Sequence, residues 1–164
     1  MRESRRIEIL LPITIVVIDQ ITKAVVRAKL PLYASRTVIP GFMDFTHVPN
    51  SGTAFALLQG VTFPFKTALI AMVAAAAIVS VGLYAASLAR HQWIARVGLA
   101  LIIGGAAGNL IDRVVAGSVV DFVDVYFRTY HFWVFNVADS AISVGVTVMI
   151  LDMLGLGTHV SKTA

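Results

Sequence analysis

Long apolar runs separated by short polar clusters dominate the chain. Four of them, about Ile7–Val26, Phe65–Leu88, Trp93–Val115 and Phe132–Leu156, match the roughly 20 apolar residues that a helix needs to cross a bilayer. The first run is interrupted in its second half by Asp19, Gln20 and Lys23. The segment 27–64 carries Pro31, Pro40, Pro49 and Pro64, which argue against one long helix. Within it, Thr37–Ile39 and Phe42–Val48 read as short strands around a Pro40-Gly41 turn. Residues 116–131 mix apolar and polar positions and predict an amphipathic piece lying in the interface. Tyr126, Tyr130, Phe132 and Trp133 supply an aromatic belt ahead of the last run. The expected architecture is an all-α membrane protein with four transmembrane helices. A small extracytoplasmic β-like platform and a short interfacial helix complete it, in a single domain over 1–164, and no internal repeat is visible.

Composition sharpens this picture. The 164 residues are 58% hydrophobic and 13% charged, with mean hydropathy +0.85. A globular domain has about 25% charged residues, so too few charges are present to cover a water-facing surface. The net charge of +4 comes from Arg and Lys near the ends of the apolar runs, as expected beside anionic headgroups. No basic tract with interleaved aromatics exists, so nucleic acid is not an expected partner. With no cysteine, disulfides, thiol catalysis and thiolate metal sites are excluded. An even number of spans puts both termini on one side. Arg2, Arg5, Arg6, Arg90 and Arg96 favour the cytoplasm for that side, although Arg27, Lys29, Arg36, Lys66 and Arg128 then fall outside. The N-terminal arginines followed by an apolar stretch also resemble a signal peptide, but no A-x-A type cleavage site follows, and an uncleaved first span is expected.

The polar residues inside these runs carry the candidate chemistry. Both glutamates, Glu3 and Glu8, lie at the N-terminus, and every later acid is aspartate. Asp121, in Val119-Val120-Asp121-Phe122, and Asp139, in Phe135–Ser140, adjoin apolar runs almost free of acid. A carboxylate beside hydrocarbon is paired, turned to a bundle interior, or functional. Two from neighbouring segments can share one proton and activate a water, the chemistry of aspartic proteases. The bland alternative makes Asp139, about seven residues or roughly 10 Å into its span, a partner of the helix dipole worth only about 0.3–1 kcal/mol. Asn136, three residues earlier, shares its face. In the third run, Gly104 and Gly108 have the spacing of a close helix crossing. Asn109 and Arg113 share a face with Asp112 beside them, which reads either as a site or as a groove capped by an ion pair. Asp19 and Lys23, four apart, form either an intrahelical ion pair or part of a site. Asn50-Ser51-Gly52-Thr53-Ala54-Phe55 alone reads as a loop, and Ser140 and Ser143 as local hydrogen-bonding residues. The four histidines lack metal-binding spacing, no GxSxG elbow is present, and nothing identifies a serine to pair with Lys23.

Taken together these segments resemble the lipoprotein signal peptidases (signal peptidase II) of bacteria. The similarity rests on Asp19-Gln20-x-x-Lys23, Asn50-x-Gly52-x-Ala54-Phe55 and Gly104-Gly105-x-x-Gly108-Asn109-x-x-Asp112-Arg113. Val119-Val120-Asp121-Phe122 and Phe135-Asn136-x-Ala138-Asp139-Ser140 complete it. Each string alone is weak; five in order along the whole chain are specific. The resemblance implies a membrane aspartic endopeptidase that removes the signal peptide from diacylglyceryl-modified prolipoproteins, cutting before the lipidated cysteine. It implies Asp121 and Asp139 as catalytic residues, and Asn50, Gly52, Asn109, Arg113 and Asn136 in substrate binding. Asp19, Lys23, Gly105 and Asp112 would have supporting roles. It further implies no metal or other cofactor, the bacterial inner membrane as location, an active site near the outer face, contact with membrane lipid and a monomer. The alternative from another class is a proton-coupled transporter or channel using intramembrane Asp, Asn and Arg. Such a protein would more often show inverted repeats or broken helices.

Overall fold

The structure is a computed structural model and describes residues 3–52, 65–89 and 91–155. Thr53, Ala54 and Phe55 of the loop motif, residues 59–64 that follow it, Arg90 and the C-terminal end lie outside these described residues.

Helix α1 covers Glu3–Lys29 and runs on through Asp19, Gln20 and Lys23. Those polar residues do not break it because Asp19 and Lys23 are fully buried and face inward, leaving Ile13, Val17, Ile21 and Val25 exposed outside. Strands β1 (Ser35–Ile39) and β2 (Met43–Asn50) follow, turning at Gly41 with φ 78°, so the hairpin expected around Pro40-Gly41 is present. Helix α2 (Lys66–Ser87) has no buried residue and packs on α3 (Trp93–Ala116). Helix α3 is the centre of the bundle, touching α1, α2 and α4 (Val137–Met153). Helices α1, α2 and α3 are long and apolar enough to cross a membrane. At 17 residues, α4 extends about 25 Å.

The segment 116–131 corrects the sequence reading. It contains no interfacial helix but strand β3 (Val119–Phe127) and the short β4 (Tyr130–His131). Gly117 in the left-handed region ends α3, and the following run is rich in Val, Phe and Tyr, which favour strands. The hydrogen-bonding groups of its backbone are met by β2, antiparallel from Met43↔Val125 to Asn50↔Val119. The sheet order is β1-β2-β3-β4. Val120 and Phe122 pack on Val26, which seats the sheet on the end of α1.

Small residues set the helix spacing. Gly104 lies where Pro12 of α1 crosses, and the backbones at Gly98 and Gly145 oppose each other between α3 and α4. A Cβ at Gly105 would strike the Ala138 carbonyl oxygen and come within 2.7 Å of Ile142 Cγ1. Only glycine lets the first turn of α4 rest on α3 there.

Candidate active site

Two elements deliver the two aspartates. Asp121 is the third residue of β3, opposite Val48 of β2. Its carboxylate alternates with Phe122, which faces the other side of the sheet. Asp139 is the third residue of α4, not about seven residues into a span that starts at Phe132. Residues ahead of it are extended because Phe135 exchanges backbone hydrogen bonds with Val123 (2.8 and 3.0 Å). Asn136 caps α4: its Oδ1 accepts from the Asp139 N–H at 3.0 Å, and Asp139 Oδ2 accepts from the Asn136 N–H at 3.2 Å. This reciprocal box is the dipole-partner arrangement that pattern alone allowed for Asp139.

Asn136 serves both carboxylates at once. Its side-chain Nδ2 donates to Asp121 Oδ1 at 2.7 Å while its backbone N–H holds Asp139. From α3, Asn109 Nδ2 donates to Asp139 Oδ1 at 2.8 Å, and its Oδ1 accepts from Asn136 Nδ2 at 3.3 Å. Asn50, at the end of β2, donates to Asp121 Oδ2 at 2.9 Å. Gly52, with φ +101°, supplies the N–H that binds Asn50 Oδ1 at 3.0 Å and so fixes which way the Asn50 amide points. Four separate segments thus converge on two carboxylates. Asn136 is fully buried and Asn109 nearly so, and both amides are engaged within the protein.

Behind this layer lies a buried charge cluster. Lys23 Nζ donates to Asp19 Oδ2 (2.8 Å) and Asn109 Oδ1 (2.9 Å) and forms an ion pair with Asp112 Oδ2 at 2.8 Å. Asp19 Oδ1 accepts from the Ala138 N–H at 3.0 Å, while Gln20 Nε2 donates to the Gly108 carbonyl at 3.1 Å. Asp112 takes Arg27 Nη2 at 2.7 Å. Two acids and two bases therefore neutralise one another and tie α1, α3 and α4 together. The alternative of an ion pair between Asp112 and Arg113 does not form: Asp112 pairs with Lys23 and Arg27 instead, because it faces α1. The sequence reading gave Arg27 no role, although its place four residues after Lys23 puts it on the same face.

Arg113 lies on the other side. Nη1 donates to its own helix at the Asn109 carbonyl, 3.2 Å away, and Nε is buried with no hydrogen-bond partner among the described residues. Beside Asp139 a trough of about 440 Å³ runs along α4, lined by Phe132, Trp133, Phe135, Ser140 and Ser143. Among the described residues no group of three or more His, Asp or Glu is arranged to hold a metal ion.

Burial pushes the Asp121 carboxyl up to about 6. The Asn50 amide opposes this, the nearby Asp139 charge adds to it, and the Asn136 amide and Lys23 oppose it. The folded protein therefore keeps a proton that the unfolded chain releases near pH 4. That contribution to stability is full below pH 4 and is lost as pH rises through about 6. Wild type should lose up to about 3 kcal/mol relative to Asp121→Asn over this window. Melting temperatures of both proteins at pH 4, 5, 6 and 7 check it; parallel curves would contradict it.

Comparison with known proteins supplies the family. A family model described as "Signal peptidase (SPase) II" matches residues 11–155. The lipoprotein signal peptidase of Geobacter metallireducens is 42% identical over 154 residues, covering 94% of each chain. That of Solibacter usitatus is 42% identical over 140 residues, 84% of each. A solved bacterial membrane enzyme superposes with a TM-score of 0.83 at 29% identity, covering 96% of this chain and 93% of that one. A second gives 0.81 at 31% identity, with 90% and 92% covered. With its aspartates brought together by a central glycine-rich helix and a small antiparallel sheet, this chain belongs to the signal peptidase II family.

Proposed function

We propose that this protein is an aspartic endopeptidase of the bacterial inner membrane. It removes the signal peptide from diacylglyceryl-modified prolipoproteins by cutting before the lipidated cysteine. One observation carries the aspartic assignment: Asn136 binds Asp121 through its side chain and Asp139 through its backbone, so a single residue registers the two carboxylates. A structural cap needs only the second of these bonds. Two carboxylates held together do not both ionise readily, and their titration belongs to the pair.

In the proposed reaction the ionised aspartate takes a proton from a water molecule, and the resulting hydroxide attacks the scissile carbonyl carbon. The protonated aspartate donates to the carbonyl oxygen as the tetrahedral intermediate forms. Collapse breaks the C–N bond; the proton taken from water passes to the leaving amine, and one hydroxyl proton of the intermediate returns to the aspartate that had donated, which regenerates the pair. Asn50, Asn109 and Asn136 orient the two acids, and Gly52 orients Asn50. Arg113 Nε, without a hydrogen-bond partner among the described residues, offers a donor to the substrate backbone, and Arg's fixed fork suits that task better than Lys. Asp19, Lys23, Asp112 and Gly105 hold the helices that carry them. The trough beside Asp139 is the approach for the apolar signal peptide. Cleavage of a lipidated precursor by the purified protein, at the bond before the modified cysteine, tests this reading. Intact precursor after incubation with folded enzyme would reject it.

The same reading takes the chain as one domain with four spans, α4 being the fourth, both termini cytoplasmic and the sheet outside. Support comes from the exposed apolar faces of α2 and of α4 at Val144, Val146, Ile150 and Leu151. Tyr130, which is well exposed, gives the check: a Tyr130→Cys variant should react with a membrane-impermeant thiol reagent added outside intact cells. Reaction only after the cytoplasm is opened would invert the topology.

A further inference from the structure

The sheet has a second face. Opposite the side that carries the Asp121 carboxylate, an apolar groove of about 350 Å³ runs between the outer half of α1 and strands β2 and β3. Ile21 and Val25 form one wall, and Phe45 and Phe122 the other, the two rings meeting edge to face at 6.3 Å. The single hydroxyl on this wall, Thr22 Oγ1, already donates to the Ile18 and Asp19 carbonyls (2.8 and 2.9 Å). The wall therefore offers a guest almost nothing but hydrocarbon. Ile21 and Val25 remain more than half exposed, on a helix long and apolar enough to cross a membrane.

Lys29 and Arg36 line the same groove. Arg27 and Lys23 nearby are neutralised by Asp112 and Asp19, whereas neither Lys29 nor Arg36 has an ion pair or hydrogen bond with another side chain among the described residues. An occupant must therefore combine an acyl chain with an anionic group beside it. We propose that this groove is a binding site for an anionic phospholipid, with one acyl chain between α1 and the Phe45–Phe122 wall and the phosphate between Lys29 and Arg36. The diacylglyceryl group of a lipoprotein is uncharged and would leave both cations unanswered, so the occupant is a membrane lipid and not the substrate. Phe122 adjoins Asp121 in β3, so a seated lipid also buttresses the strand that carries this acid.

The test uses full-length protein in nanodiscs of phosphatidylglycerol or phosphatidylcholine, exchanged into detergent, with retained lipid counted by native mass spectrometry. Wild type should keep one phosphatidylglycerol and discard phosphatidylcholine. Lys29→Gln with Arg36→Gln should weaken retention roughly 30-fold, two surface cations' worth. Val25→Trp, which fills the groove and leaves the charges, should abolish retention with the melting temperature in lipid-free detergent unchanged. Equal retention of both lipids, or undiminished retention by the charge variant, overturns the site. Undiminished retention by Val25→Trp shows surface attraction without a groove and overturns it too. So does displacement of the lipid by a diacylglyceryl peptide, which would give the groove to the substrate.

Discussion

Asp121→Asn and Asp139→Asn are each expected to lower turnover by roughly 10³-fold or more, with the double variant scarcely worse than either single one. Parts of one proton-transfer unit do not lose activity additively, because removal of either already stops the step. The competing role for Asp139, cap of α4, makes a different prediction. There Asp139→Asn would cost about 1 kcal/mol of stability and leave the folded fraction fully active. Melting temperature and cleavage rate measured on the same preparations separate the two. Asparagine is the right substitute, since it keeps the volume and one acceptor for the Asn109 or Asn136 donor while removing the titratable group. Substantial turnover in either single variant would remove the dyad assignment.

Lys23→Met should be the most destabilising single change in the membrane-embedded part. Its ammonium is fully buried with Asp19 and Asp112, themselves buried. Removing it leaves two carboxylates and the Asn109 carbonyl oxygen facing one another, and breaking a buried pair this way costs about 3–5 kcal/mol. Arg27, which is 35% exposed, is too far into water to compensate for both acids. Neutralising the whole cluster, with Lys23→Met, Asp19→Asn and Asp112→Asn combined, should restore much of the loss, since uncharged replacements of a buried network are often close to neutral. Turnover should fall in Lys23→Met even in the folded fraction, because Lys23 holds Asn109 and Asn109 holds Asp139. If the triple variant melts no higher than Lys23→Met, the cluster is not the source of the stability.

The bilayer as solvent and the helices as carriers can be read along the chain alone. Apolar runs of about 20 residues with few charges leave helices as the economical way to satisfy the backbone in hydrocarbon, and α1, α2 and α3 follow those runs closely. The hairpin at Pro40-Gly41 was legible because turn chemistry is local. Asp121, Asp139, Asn109 and Asn136 stood out because polar side chains beside hydrocarbon demand partners.

Which partners they find was decided by tertiary structure. Residues 116–131 have a pattern that fits an interfacial helix as well as a strand. The choice fell to β2, some 70 residues away in sequence, whose open edge takes up the hydrogen bonds of Val119–Phe127. Phe132–Phe135 carry the hydropathy of a span, but pairing with Val123 holds Phe135 extended, delays α4 to Val137 and brings Asp139 into its first turn. Asp112 had Arg113 beside it in sequence, yet adjacent helix residues point about 100° apart. The turn of α3 toward α1 hands Asp112 to Lys23 and Arg27 instead. Apolar burial and local propensity act residue by residue and can be read along a chain. Pairing of charges and strand edges depends on which segments meet, and only the folded bundle fixes that.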